Sequence, residues 1–571
     1  MSGKKQKKYY NNKKKSSPAS KSKGTSVENV KKTESVETGK ATAAKTPVTD
    51  TKVKKKAPLR SPLFDRDNVM EIFARVFLIA MSIVFPLAIG SEKYANITHF
   101  KNMAYYLIAA AAFCAIIITM LVKISTMPSY ESPFNGNVKR LNAVDIAVLV
   151  YWGFLLISTL LSDYKDVALN GQGVRNDGLI IQTFYVATYF VISRLIRMQK
   201  FDLNIYCYGA TVVSVLVMLH FFGFDVLKTG FSEPNWESGL LFMGPMGNIN
   251  LTSYFVTAAL IMMATVYITQ QQLSFDKYGY VTLACFVAML WAELNLNTDA
   301  GIVALGVALM VSLPLVLVNF ERVGRFFTVL SVAFAVIIFN RLAIGSDILG
   351  EEFGKLGWLM ILAELVLIAL AITINNGTLH FNPSRKALLI TTLSIDGAAV
   401  LGVLIAAAIA ADHQTKGILY EFGQMLFHGN FNDKFGTKRI FTWKRAIQLV
   451  GKHPIFGTGP DSFYNVFNEA YGAESKKFFN GRNLDKAHNE YLQLLVCSGI
   501  TGLGSFLAFL GLMIADAFKR AEKNPLLVCC AMGVVGYAVH AFFGYSLPIN
   551  SPLMWTLFGL TGAAIRVESE E

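Results

Sequence analysis

Stretches of about twenty predominantly apolar residues, the length that carries a helix across a bilayer, recur along nearly the whole of this 571-residue chain. They fall near 70–90, 103–122, 143–161, 178–195, 204–223, 250–269, 279–295, 300–319, 326–344, 356–374, 387–411, 490–516, 526–545 and 552–566. Inside hydrocarbon every backbone polar group must be paired within the segment, which a helix does and an isolated strand does not. The expected fold is an all-α polytopic membrane protein with about 14 transmembrane helices, in the range 12–14. Little more than Asn297, Thr298 and Asp299 separates two of the segments, so a tight hairpin is expected there.

Composition bears on partners through the charge. The formal net charge is +14. Residues 1–66 hold 19 Lys and Arg against 5 Asp and Glu, whereas the remainder holds 34 of each. The basicity therefore belongs to an amino-terminal tail rich in Lys, Ser and Thr, too poor in apolar side chains to form a core. It reads as a disordered cytoplasmic arm that touches anionic membrane lipid. No aromatic-interleaved pattern or recognition helix accompanies the lysines, so no nucleic acid partner is expected. The first apolar run begins near residue 71 and is long enough to span, so no signal peptide is expected. Six cysteines, at 114, 207, 285, 497, 529 and 530, all lie in apolar segments and read as packing residues. Neither they nor the loop acids Asp163, Asp166, Glu351 and Glu352 have ligand-like spacing, and no metal or cofactor is expected.

With the tail inside, the short connections assigned to the cytoplasm carry fourteen Lys and Arg against seven outside, which puts both termini in the cytoplasm. The expected organisation is a tail at 1–66, transmembrane helices 1–11 over 67–411, an extracytoplasmic loop at 412–489, and helices 12–14 with a short cytoplasmic end over 490–571. The 78-residue loop contains "RIFTWKRAIQLVGKHPIF", where Ile440, Trp443, Ala446, Ile447 and Val450 can share one helical face. A large helical extracytoplasmic loop packed on the membrane face follows. Among charges inside spans, Arg75, Glu293, Asp396 and Asp516 are the main cases, and Asp396 is deep enough to need a partner on a neighbouring helix.

Polar chemistry gathers at the outer helix ends. In "DKAHNEYLQLLVCSGITGLGSF", Asp485 is placed to cap the helix that starts near Glu490, with His488 in its first turn. The positive helix end there favours a neutral imidazole able to accept a proton, and its free amides attract an anion. Glycines 499, 502 and 504 permit close helix packing. Arg175 in "GQGVRNDGL" lies at an apolar boundary, and Arg439 opens the amphipathic stretch with Trp443 one turn on; guanidinium groups suit phosphate oxygens. From spacing alone the blander readings are favoured, His488 as a headgroup-level polar residue and each arginine as a contact to lipid headgroups. Asn248 and Asn250 in "GPMGNINLTSYF" fit helix caps or hydrogen-bond donors to a sugar, with capping favoured. "HPIFGTGPDSF" lacks the lysine of a phosphate-binding loop and reads as a turn between helices.

Together these residues resemble the O-antigen ligase family, which includes related polysaccharide polymerases and protein O-oligosaccharyltransferases. "HNEYLQLLVCSGITG" is similar to that family's outer-loop signature, with His488, Asn489, Gly499 and Gly502 in place. "RIFTWKRAI…HPIFGTGPDSF" looks like the stretch ahead of it, carrying Arg439, Trp443, Gly457 and Gly459. "GQGVRNDGL" and "GNIN" resemble two upstream elements. One departure is "NTDAGI", which has Asp299 where members often show Ser-Arg.

The resemblance implies a membrane glycosyltransferase of a bacterial cell envelope. It would move a glycan, without metal or cofactor, from an undecaprenyl-pyrophosphate carrier to an acceptor hydroxyl on a glycan, lipid or protein outside the cytoplasmic membrane. Arg175 and Arg439 would clamp the diphosphate and His488 would act as general base, while Asn489, Trp443, Asn250, Asn248 and Gly459 would form the substrate-binding set. Two alternatives stand beside it: a polymerase joining repeat units with the same residues, and a transporter or flippase for lipid-linked sugars, which would call for charged or broken helices at mid-membrane.

Overall fold

The computed structural model describes residues 68–126, 141–173, 175–229, 244–269, 277–318, 320–344, 357–377, 384–413 and 417–567. The basic tail at 1–66 and the connections holding Lys139, Arg140, Glu351 and Glu352 lie outside the described residues. Among the described residues all regular structure is helical, as the backbone requirement in hydrocarbon demands. The chain is an all-α multi-pass membrane protein.

Each of the fourteen apolar segments is a helix. In chain order they and the short helices between them are α1 (Val69–Leu87), α2 (Ile97–Thr126), α3 (Ala143–Leu161), α4 (Lys165–Asn170), α5 (Leu179–Leu195), α6 (Lys200–Phe221), α7 (Ile249–Thr269), α8 (Lys277–Leu296), α9 (Asp299–Val316) and α10 (Phe320–Ile344). There follow α11 (Gly357–Asn375), α12 (Arg385–Asp412), α13 (Ile418–His428), α14 (Arg439–Val450), α15 (Phe463–Phe478), α16 (Glu490–Lys519), α17 (Pro525–Ala541) and α18 (Ser551–Val567). Among the described residues ten helices reach spanning length against the fourteen expected, because α5, α11, α17 and α18 present shorter apolar runs there. The predicted hairpin between α8 and α9 is present, turning at Asn297 and Thr298.

Residues 251–269 of α7 are buried without exception, which fits a sequence apolar on every face. It packs against α6, α8, α9, α10 and α17. Opposite in character, α2 and α12 leave most of their apolar side chains uncovered, the surface that lipid tails would wet. Five of the six cysteines are buried and all are free, in keeping with packing roles.

Ion pairs close one end of the bundle. Asp145, buried at the start of α3, accepts from Arg194, from Tyr189 at 2.9 Å and from Arg566 at 2.9 Å. Arg75 is tied to Glu71 at 2.8 Å and Asp202 at 3.1 Å. Buried charges are tolerated when paired in this way. Asp396 departs from expectation. It has no hydrogen bond or ion pair among the described residues, because α12 touches the bundle only sparingly, through α9.

Between α12 and α16 the chain is folded, with three helices of its own. Phe441, Ala446 and Leu449 of α14, Phe463 and Phe467 of α15, and Leu492, Val496 and Cys497 of α16 form a second apolar core. The buried face of α14 is thus Ile440, Phe441, Ala446 and Leu449. Ile447, expected on that face, is exposed at 61%. A 3.6-residue period places 440 and 447 within about 20° of each other, but they lie two turns, about 10 Å, apart along the axis, so the packing that covers Ile440 does not extend to Ile447.

Candidate active site

The site is built where α16 breaks. Gly499 has φ 66 and ψ −170 inside an otherwise helical run, a backbone state open essentially to glycine alone. The break frees carbonyls and amides that a helix would have paired. Residues 454–459 take them up: Thr458 and Gly459 donate to the carbonyls of Val496 and Cys497 at 3.1 and 2.8 Å, and Ile500 and Thr501 donate to Pro454 and Ile455 at 2.9 and 3.2 Å. From α3, Ser158 donates to the Cys497 carbonyl at 2.9 Å and Ser162 to the Thr458 carbonyl at 2.6 Å. The stretch read as a turn is therefore also the patch that seals the broken helix. Of the three glycines expected to serve packing, Gly499 is the one whose backbone conformation requires glycine. A Cβ at Gly502 would fall 2.2 Å from Ser498 Oγ, and one at Gly504 would meet nothing within 4 Å.

That seal positions Asp461, a residue that its sequence context does not single out. Its carboxylate receives Arg175 Nε at 3.0 Å and the backbone amides of Gln172 and Asp177 at 2.8 and 3.2 Å. Arg175 is buried at 3% exposure and also donates to the Asp485 carbonyl at 3.0 Å. Burial works against its charge, but Asp461 with Asp177 and Asp485 overturns that and holds the guanidinium above its ordinary pKa. Arg175 thus staples the 171–178 loop to the turn after α14 and to the extended segment leading into His488.

His488 precedes the helix instead of lying in its first turn. The cap is Asn489, whose Oδ1 accepts from Leu492 N at 3.0 Å, not Asp485, whose carbonyl is taken by Arg175. His488 is half-buried with φ 53, and its ring stands edge-on to Tyr545 at 4.8 Å. Burial, then Lys486 and Arg439, push its pKa down to about 3, with Asp485 opposing and Arg175 assisting. The imidazole is neutral at physiological pH and lies within electrostatic reach of both arginines. Lys486 covers the Tyr545 ring at 4.0 Å, a second cation that the sequence pattern does not mark.

Arg439 differs from Arg175 in having nothing to hold. Its guanidinium makes no hydrogen bond or ion pair among the described residues, and its Nε is buried without a partner. Burial lowers its pKa from the ordinary arginine value, and Asp299, Tyr545, Tyr254 and Glu421 restore part of the loss by favouring the charge. Asp299, the departure in the α8–α9 hairpin, is the largest of the charges that favour the Arg439 guanidinium. A buried cationic donor lacking an acceptor is costly for a fold.

Strain gathers at the same place. Asn176, Thr437, Lys438, Asp461 and His488 all have positive φ, next to or at Arg175, Arg439, the seal and the imidazole. Non-glycine residues in this region are uncommon and persist where the surroundings impose them.

The expected substrate-binding set is placed as follows. Trp443 donates its indole N–H to the Ala487 carbonyl at 3.0 Å and stands edge-on to Phe542 at 5.5 Å. Asn248 caps α7, accepting from Leu251 N at 3.2 Å. Gly459 has φ 109, and a Cβ there would fall 2.4 Å from the Ser162 hydroxyl. Asn250 is half-buried near the start of α7. Trp443, Asn489 and Gly459 therefore spend visible contacts on holding the site together.

No curated protein matches the chain. The O-antigen ligase family model matches residues 284–507, a span that contains Arg439, the 454–461 seal, His488 and Gly499 but not Arg175, Tyr254 or Tyr545. The match supports a resemblance to the O-antigen ligase family over this segment of a multi-pass helical chain.

Proposed function

We propose that this protein transfers a glycan from an undecaprenyl-pyrophosphate carrier to an acceptor hydroxyl on the outer face of the cytoplasmic membrane. The observation that carries this reading is Arg439, a half-buried guanidinium with no acceptor among the described residues, beside a neutral histidine. A diphosphate supplies the missing acceptors in the paired geometry that guanidinium prefers.

In the proposed step His488 takes the proton of the acceptor hydroxyl, the oxygen attacks the anomeric carbon, and the bond to the diphosphate oxygen breaks. Direct displacement inverts that carbon. The carrier diphosphate leaves with its charge spread over Arg439, as preorganised electrostatic stabilisation requires. Arg175 contributes field and position, since Asp461 and the Asp485 carbonyl already occupy two of its donors. A base with pKa near 3 is weak, and binding itself supplies the remedy. The arriving negative charge cancels the cations that depress His488 and raises its basicity when the substrate is in place.

Arg439→Lys tests the reading in membranes supplied with carrier-linked glycan. Loss of the fork with retention of charge is expected to cut transfer about tenfold or more. Transfer at the wild-type rate would contradict a guanidinium–diphosphate contact.

A further inference from the structure

Tyr254, on α7, is 1% exposed, and its hydroxyl has no hydrogen-bond partner among the described residues. The ring is held firmly. It lies against His540 with ring centres 3.9 Å apart. His540 Nε2 is 2.9 Å from Ser253 Oγ, and Ser253 and Thr298 both donate to the buried Glu293 carboxylate, at 2.5 and 2.7 Å. Three helix ends and the α8–α9 turn thus hold the ring in place.

Room has been made for the hydroxyl itself. A Cβ at Gly544 would fall 2.5 Å from the Tyr254 oxygen, so the hydroxyl occupies the space that a side chain at 544 would need. The next residue, Tyr545, is the one against which His488 stands, and Tyr254 and Tyr545 are two of the groups that favour the Arg439 charge. Within the fold the hydroxyl brings only cost, because a desolvated donor is left unused. Phenylalanine would fill the same volume without it.

Building on the reading of Arg439 as a diphosphate ligand, we propose that the Tyr254 hydroxyl is a further donor to a phosphate oxygen of the carrier. It supplies a neutral hydrogen bond beside the guanidinium. The Glu293, Ser253 and His540 network serves as the rigid mount of that donor.

The test measures affinity for undecaprenyl pyrophosphate, used as the probe, with the full chain in lipid nanodiscs, for wild type, Tyr254→Phe and Arg439→Ala. Tyr254→Phe is expected to weaken binding about tenfold or more, the effect of one hydrogen bond to a charged group, while its thermal midpoint stays equal to or above that of wild type. A hydroxyl that serves only the fold or a trapped water gives unchanged affinity, which overturns the inference. A midpoint that falls along with affinity also overturns it. Wild-type binding by Tyr254→Phe alone leaves the diphosphate reading standing, whereas wild-type binding by Arg439→Ala removes both.

Discussion

The indole N–H of Trp443 donates to the backbone carbonyl of Ala487 at 3.0 Å, so the helix that begins at Arg439 is bonded directly to the residue before His488. Arginine and histidine are therefore placed by one shared joint as well as by the separate elements that carry them. Trp443→Phe keeps an aromatic ring against Phe542 and removes the hydrogen bond. A stability loss of about 1 kcal/mol is expected, together with a several-fold slower transfer caused by a less constrained His488. Thermal unfolding and transfer rates of the same membrane preparation check both; unchanged transfer would mean that the joint does not position the base.

Gly499→Ala places a Cβ 2.2 Å from the Ile455 carbonyl oxygen in a backbone state hostile to any side chain. Strain alone is worth about 1–3 kcal/mol, and the seal formed by residues 454–459 must also shift. Reduced accumulation in the membrane and a lower thermal midpoint are expected. Gly504→Ala meets nothing within 4 Å and should match wild type or gain slightly from helix propensity. Equal behaviour of the two variants would show that the break at Gly499 is dispensable.

Much of the fold and part of the site are legible in the sequence, and the reasons differ by feature. The helices announce themselves because hydrocarbon leaves no other solution for the backbone, and Arg439 and His488 sit in stretches whose residue types suit phosphate and proton chemistry. Asp461 stays hidden because its partner Arg175 lies 286 residues away, and only folding reveals that a turn residue has become a counter-ion. Asn489 and not Asp485 is the cap because the helix starts at Glu490, leaving Asp485 four residues upstream of the cap position with its carbonyl held by Arg175. Tyr254 carries no signal at all, since a tyrosine in an apolar helix reads as packing until its hydroxyl is found without a partner.

Protonation supplies a separate prediction. His488 has its pKa pushed down to about 3 by burial and by Lys486 and Arg439, so the folded protein resists protonating it. As pH falls through the ordinary histidine range near 6.5, the unfolded state takes up that proton first, and this residue withdraws stability from there toward pH 3. In catalysis the free enzyme keeps its base through mildly acidic pH. The acid limb of kcat/KM should lie well below 6.5, and that of kcat, which reports the complex with its diphosphate, should lie higher. Coincident limbs near 6.5 would show that neither burial nor the neighbouring cations act on the base.

Transfer of carrier-linked glycan by membranes containing His488→Ala probes the proposed chemistry at its centre, with the donor and the glycosylated acceptor quantified side by side. Loss of the acceptor product is expected while the carrier-linked donor accumulates and the protein remains in the membrane at wild-type level. Undiminished product from this variant would contradict the assignment of His488 as the base and, with it, the placement of glycan transfer at this site.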